Sequence, residues 1–128
     1  NTRDGKGIEL IRNLGIKTAI ITSEDTKIVE KRAKKLKVDY LYQGVKDKNR
    51  IIHDLTEKLN ITLDEIAYIG DDINDISALE IVGFPITVRS ATNQNKLVAK
   101  LIVPIDGGNG CVRYVCDLIV ENYCKKKI

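Results

Sequence analysis

Three clusters of side chains in this sequence combine types and spacings suited to handling a phosphate ester. Thr22-Ser23 closes a short apolar run, Lys48 follows the loop Gln43-Gly44, and Gly70-Asp71-Asp72-Ile73-Asn74-Asp75 follows another apolar run. A phosphoryl group needs donors and positive charge around its equatorial oxygens, which a Thr hydroxyl, backbone N–H groups and a Lys ammonium supply. Mg²⁺ needs hard oxygen ligands, usually one or two protein carboxylates with waters and phosphate oxygens completing the octahedron. Asp71, held close by Gly70, suits that ion. Asn74 and Asp75 fall in the first turn of the next helix, where the dipole favours a carboxylate that can fix Asp71 or a metal-bound water. Each cluster alone has a plainer reading: a helix cap, a surface lysine, a capped turn. The lone His53, inside a helix and away from any strand end, reads as a surface residue.

For these groups to meet, each must be delivered at the end of a strand. Ile8, Ile11 and Leu14 recur at helical spacing over Gly7–Leu14, with Gly15 as the stop. Apolar, β-rich runs predict strands at Lys17–Thr22, Val38–Tyr42, Glu65–Ile69, Phe84–Val88 and Leu101–Val103. Helices are predicted at Asp25–Leu36, Lys48–Leu59, Ile73–Val82, Asn93–Ala99 and Val112–Tyr123. This alternation implies right-handed βαβ crossovers and a mainly parallel sheet with helices on both faces, an α/β Rossmann-like fold. Ligands in such sheets bind beyond the carboxyl ends of the strands, so Thr22, Lys48 and Asp71 are expected on one rim. Pro85 and Pro104 are expected at strand edges, where a missing N–H is tolerated.

Composition agrees with that layering. The 128 residues suit a single domain, and the apolar content is Ile, Val, Leu and Ala with no Trp, no Met and one Phe. Net charge is +3, with basic residues spread along helices or gathered in the tail Lys125-Lys126-Lys127, so no nucleic acid is expected as partner. Cys111, Cys116 and Cys124 form no C-x-x-C pair, which suggests reduced thiols rather than disulfides or zinc. No apolar run reaches the roughly 20 residues of a membrane span, so no membrane and a cytoplasmic location are expected.

The wider wording carries a family resemblance. Ile20-Ile21-Thr22, Asp47-Lys48 and Gly70 to Asp75 resemble motifs II, III and IV of the haloacid dehalogenase superfamily. Asp4-Gly5-Lys6-Gly7-Ile8, Tyr42 to Lys48, Ala67-Tyr68-Ile69-Gly70-Asp71-Asp72 and Gly107-Gly108-Asn109-Gly110 are similar to its capless sugar-acid phosphatases. These act on octulosonate 8-phosphates or on nine-carbon keto-acid 9-phosphates. The resemblance implies that Thr22 binds phosphate, Lys48 stabilises the phosphoryl group and Asp71 binds Mg²⁺, in a homotetramer using a phosphoaspartate intermediate. On it, Lys48→Ala is expected to lower kcat with the fold intact. Ser23-Glu24 after Thr22, followed by Arg32 and Lys35, is similar to the nine-carbon branch, where such a pair receives the substrate carboxylate. Arg32 and Lys35 share a helix face, and Arg32 lies about 12 Å along the helix from Glu24. Service to a neighbouring subunit's site is therefore the expectation.

The resemblance also has gaps. The family's first strand with its Asp-x-Asp-Gly motif, and the β-hairpin after it, are not among these residues, which suggests an N-terminally incomplete part of an active enzyme. Tyr114 stands where the family's tail motif commonly has Glu. Two rivals differ in class. The related domain of sialic acid cytidylyltransferases assembles tetramers without catalysis. A receiver-like domain would place its acidic pair after the first strand rather than a late one.

Overall fold

The computed structural model describes residues 2–108 and 110–126. Helix α1 (Thr2–Asn13) leads to strand β1 (Ala19–Ile21), helix α2 (Lys27–Leu36), strand β2 (Tyr40–Tyr42) and helix α3 (Lys48–Leu59). Strand β3 (Ala67–Ile69), helix α4 (Ile76–Ile81), strand β4 (Phe84–Val88), helix α5 (Asn93–Val98), strand β5 (Leu101–Val103) and helix α6 (Cys111–Lys126) follow. Every predicted helix and strand is present, with differences at the ends. Of the lysine tail and the glycine loop, Asn109, Lys127 and Ile128 lie outside the described residues, as do the side chains of Cys124, Lys125 and Lys126.

The chain divides into two compact units. The first comprises residues 1–45 and 110–128. In it β1 and β2 pair in parallel, Ala19 opposite Tyr40. Helix α1 buries Ile8 and Ile11 against Cys116 of α6, with Ile16, Val112, Ile119 and Val120 packed around them. Helix α2 starts where Thr26, as N-cap, accepts the Val29 N–H, and stops at Lys37 in the left-handed region. Asp4 is fully buried. Its Oδ1 accepts the Arg113 backbone N–H at 3.1 Å, capping α6 from another helix, and its Oδ2 lies 4.0 Å from the Arg32 guanidinium.

The second unit, residues 46–109, holds a parallel sheet in the order β3-β4-β5. Its core is Ile52, Leu79, Ile86, Val88 and Val103, all below 2% exposed, the pattern of strands covered on both faces. Pro85 stands near the edge of its strand, second in β4, which is the central strand of the sheet. It is tolerated because the β4–β5 register begins one residue later, at Ile86 opposite Leu101, so no β5 ladder bond needs its N–H. The predicted Ile73–Val82 helix opens as a 3₁₀ turn over Ile73–Asp75 before α4. The Asp72 side chain accepts the Asp75 N–H while the Asp75 side chain accepts the Asp72 N–H, a capping box, and the Asp75 N–H also bonds the Asp72 carbonyl, which tightens the turn. Leu63–Glu65 is a second such turn, so β3 starts at Ala67 rather than Glu65.

Candidate active site

In the second unit the sequence Gly70 to Asp75 folds around one carboxylate. Asp75 is 5% exposed and accepts from four donors. Its Oδ1 takes Lys48 Nζ at 2.7 Å and the Tyr68 hydroxyl at 2.7 Å. Its Oδ2 takes the backbone N–H groups of Asp71 at 3.1 Å and Asp72 at 3.2 Å. Gly70 permits this closeness, since a Cβ there would stand 2.5 Å from the Asp75 Cβ. With its lone pairs so engaged, Asp75 supports the site rather than presenting a ligand. Asn74 Oδ1 accepts from Lys48 Nζ at 3.5 Å.

Lys48 is therefore not the surface lysine of the plain reading. Its Asp47 N-cap starts α3, and its side chain is 8% exposed, ion-paired with Asp75. That pairing adds a stability cost to Lys48→Ala, because removing the cation leaves a buried carboxylate without its partner. Tyr68 was not singled out by sequence; its place one residue before the end of an apolar strand reads as core. Burial, followed by the hydrogen bond and the charge of Asp75 and then the charge of Asp71, pushes its phenol far above the ordinary range. It stays a donor at any working pH.

Asp71 itself follows β3 and is exposed. Gly107 comes close to it: a Cβ on that glycine would sit 3.3 Å from Asp71 Oδ2, so the missing side chain keeps the carboxylate's approach open. Two further residues escaped sequence reasoning. Thr87 and Asn95, both fully buried, hold the loop from beneath, with Thr87 Oγ1 donating to the Gly70 carbonyl at 2.7 Å. Asn95 Nδ2 donates to the carbonyls of Asp72 at 2.9 Å and Gly70 at 3.4 Å.

Among the described residues no group of three or more His, Cys, Asp or Glu side chains is arranged to hold a metal. A single free carboxylate fits Mg²⁺, which commonly takes one or two protein ligands, and does not fit a caged structural metal.

In the first unit Thr22 Oγ1 accepts the Glu24 N–H at 3.1 Å, and the Gly44 N–H bonds the Glu24 carbonyl at 2.9 Å. Gly44 takes φ 65°, the left-handed region that favours glycine. Thr22 is thus a turn residue; the cap of α2 is Thr26. An accepting hydroxyl keeps its own O–H to donate. Ser23 and Glu24 are exposed. Arg32 and Lys35 do share a face, lining an open groove of about 380 Å³ with Lys6, Glu9 and Arg12. His53 is exposed, as expected. No helix among the described residues is long and apolar enough to cross a membrane.

The family of haloacid dehalogenase-like hydrolases matches residues 5–83. The chain is 41% identical over 120 residues to the 3-deoxy-D-manno-octulosonate 8-phosphate phosphatase KdsC of Escherichia coli, covering 94% of this chain and 64% of that protein. The corresponding phosphatase of Moraxella catarrhalis, solved with magnesium, phosphate and KDO, superposes with a TM-score of 0.90 at 41% identity, over 94% of this chain and 69% of that one. The cobalt-bound phosphatase of Haemophilus influenzae gives 0.90 at 28% identity, over 94% and 71%. The chain thus spans about two-thirds of the length of the relatives it matches.

Proposed function

The chain belongs to the haloacid dehalogenase-like hydrolases, and on that premise we propose that the full-length protein hydrolyses 3-deoxy-D-manno-octulosonate 8-phosphate with Mg²⁺. The observation that carries the reading is the exposed Asp71 carboxylate whose backbone is held by the saturated Asp75, itself paired with the buried Lys48. Mg²⁺, when bound, supplies positive charge to phosphate oxygens. Asp71 is the residue that would hold it. Lys48, its ammonium anchored by Asp75, stabilises charge on the transferring phosphoryl group as a point charge already desolvated. Thr22, by family resemblance, donates its hydroxyl to phosphate. The attacking carboxylate is not assigned to any residue of this chain.

The nine-carbon acid expected from Glu24, Arg32 and Lys35 gives way to the eight-carbon acid. The names of the relatives favour the octulosonate. A cytoplasmic homotetramer belongs to the same reading.

The test is phosphate release by the full-length protein from the octulosonate 8-phosphate and from a nine-carbon 9-phosphate, with Mg²⁺ and with chelator. We expect preference for the former, loss with chelator, and no turnover by Asp71→Asn. Full activity of that variant at saturating Mg²⁺ would refute the reading. A tetramer by sedimentation with no Mg²⁺-dependent turnover would instead mark a noncatalytic assembly module.

A further inference from the structure

The carbonyls on either side of Asp71 share one donor. Asn95, at the third position of α5, is 0% exposed and directs its amide nitrogen at the carbonyls of both Gly70 and Asp72. Its amide cannot turn over, because Oδ1 accepts the Thr92 hydroxyl while Thr92 Oγ1 accepts the Asn95 backbone N–H. The reversed amide would face oxygen toward two carbonyl oxygens and lose both bonds. A buried asparagine serving packing alone could satisfy itself on its own helix. This one commits both side-chain hydrogens to the residues that bracket Asp71, an exposed carboxylate of the loop. Thr87 adds a second donor to the Gly70 carbonyl, and Asp75 takes the Asp71 N–H, so the backbone is held before, at and after Asp71.

We propose that Asn95, oriented by Thr92, is a positioning residue that sets the direction of Asp71 and thereby the affinity of the site for a divalent cation. This rests on Asp71 as the cation ligand. Groups that orient a ligand from behind typically change metal affinity by about 10–100-fold when removed. Asn95→Leu keeps the volume and removes the donors, leaving the Asp72 carbonyl without its side-chain partner.

The experiment measures Mn²⁺ binding to the full-length protein by paramagnetic resonance, and Mg²⁺ by competition, with no substrate present. Asn95→Leu is expected to weaken both ions by about 10–100-fold, and Thr92→Val, which frees the amide but keeps it, by several-fold. Leu55→Ala, a core truncation on α3 in the same unit, controls for lost stability and should leave ion affinity unchanged. Ion binding by Asn95→Leu and Thr92→Val equal to that of Leu55→Ala would overturn the proposal. Should Asn95→Leu not fold, Thr92→Val decides alone. Unchanged binding by Asp71→Asn would instead overturn the ligand assignment itself, and with it the proposal that rests on it.

Discussion

Asp75 shows why single residues of this site cannot be assigned one role each. Its carboxylate meets Lys48, Tyr68 and two backbone N–H groups, so any change to a partner alters both stability and chemistry. Lys48→Ala leaves that buried carboxylate without its cation, and we expect a loss of about 3–5 kcal/mol in urea unfolding together with loss of turnover. Lys48→Ala combined with Asp75→Asn should recover much of the stability but none of the activity, which separates the two contributions. Tyr68→Phe removes one donor of four and should lower stability by about 1.5–3 kcal/mol while Lys48 stays paired. A double variant no more stable than Lys48→Ala alone would contradict this account of Asp75. The GDDxND pattern exposed Asp71, Asn74 and Asp75 to sequence reasoning because ligand-type residues sat at a strand end. Tyr68, Thr87 and Asn95 stayed hidden because nothing local distinguishes a buried donor aimed at a loop from ordinary strand or helix filling.

Helix contacts decide which glycines can be replaced. Gly5 and Gly7 lie in the same helix, so propensity alone would favour alanine at both by about 1 kcal/mol. A Cβ at Gly5 would meet only Leu36 Cδ2 at 4.0 Å, an ordinary contact. At Gly7 it would stand 3.0 Å from the Cys116 Cβ and 3.1 Å from the Arg113 Cα, where backbone has to retreat. Gly5→Ala should therefore raise stability by about 0.4–1 kcal/mol, and Gly7→Ala should lower it by about 1–3 kcal/mol through overpacking of α1 on α6. Thermal melts of the two variants check the contrast; equal shifts would deny that α1–α6 packing is this close. The spacing of Ile8 and Ile11 made α1 legible as a helix, yet the partner of its inner face lies more than a hundred residues away in sequence. The α6-capping role of Asp4, across a separation of 109 residues, was illegible for the same reason.

At the scale of the whole chain, the cysteine core sets a pH dependence of stability. Cys116 is 2% exposed, and burial, then the charges of Asp117 and Asp4, push its thiol from the ordinary 9.0 up to about 11. Between those values the folded chain holds a proton that the unfolded chain releases, so stability is full below about pH 9 and falls as pH rises through 11. Urea midpoints measured from pH 8 to 11 should decline, and Cys116→Ala should remove part of the slope; an identical slope in that variant would refute the assignment. The alternation of apolar runs with helical periods determined the order of the elements and the parallel α/β class, since burial on two faces and turn chemistry are local properties written in composition and spacing. It also determined which side chains stand at strand ends, and with them the family. Tertiary structure alone decided what those side chains do. That Lys48 is buried, that Asp75 is saturated while Asp71 stays open, and that Asn95 grips both neighbours of Asp71 depend on distances between segments remote in sequence. Hydrogen bonds and desolvation act over a few ångströms, and only packing brings such segments that close.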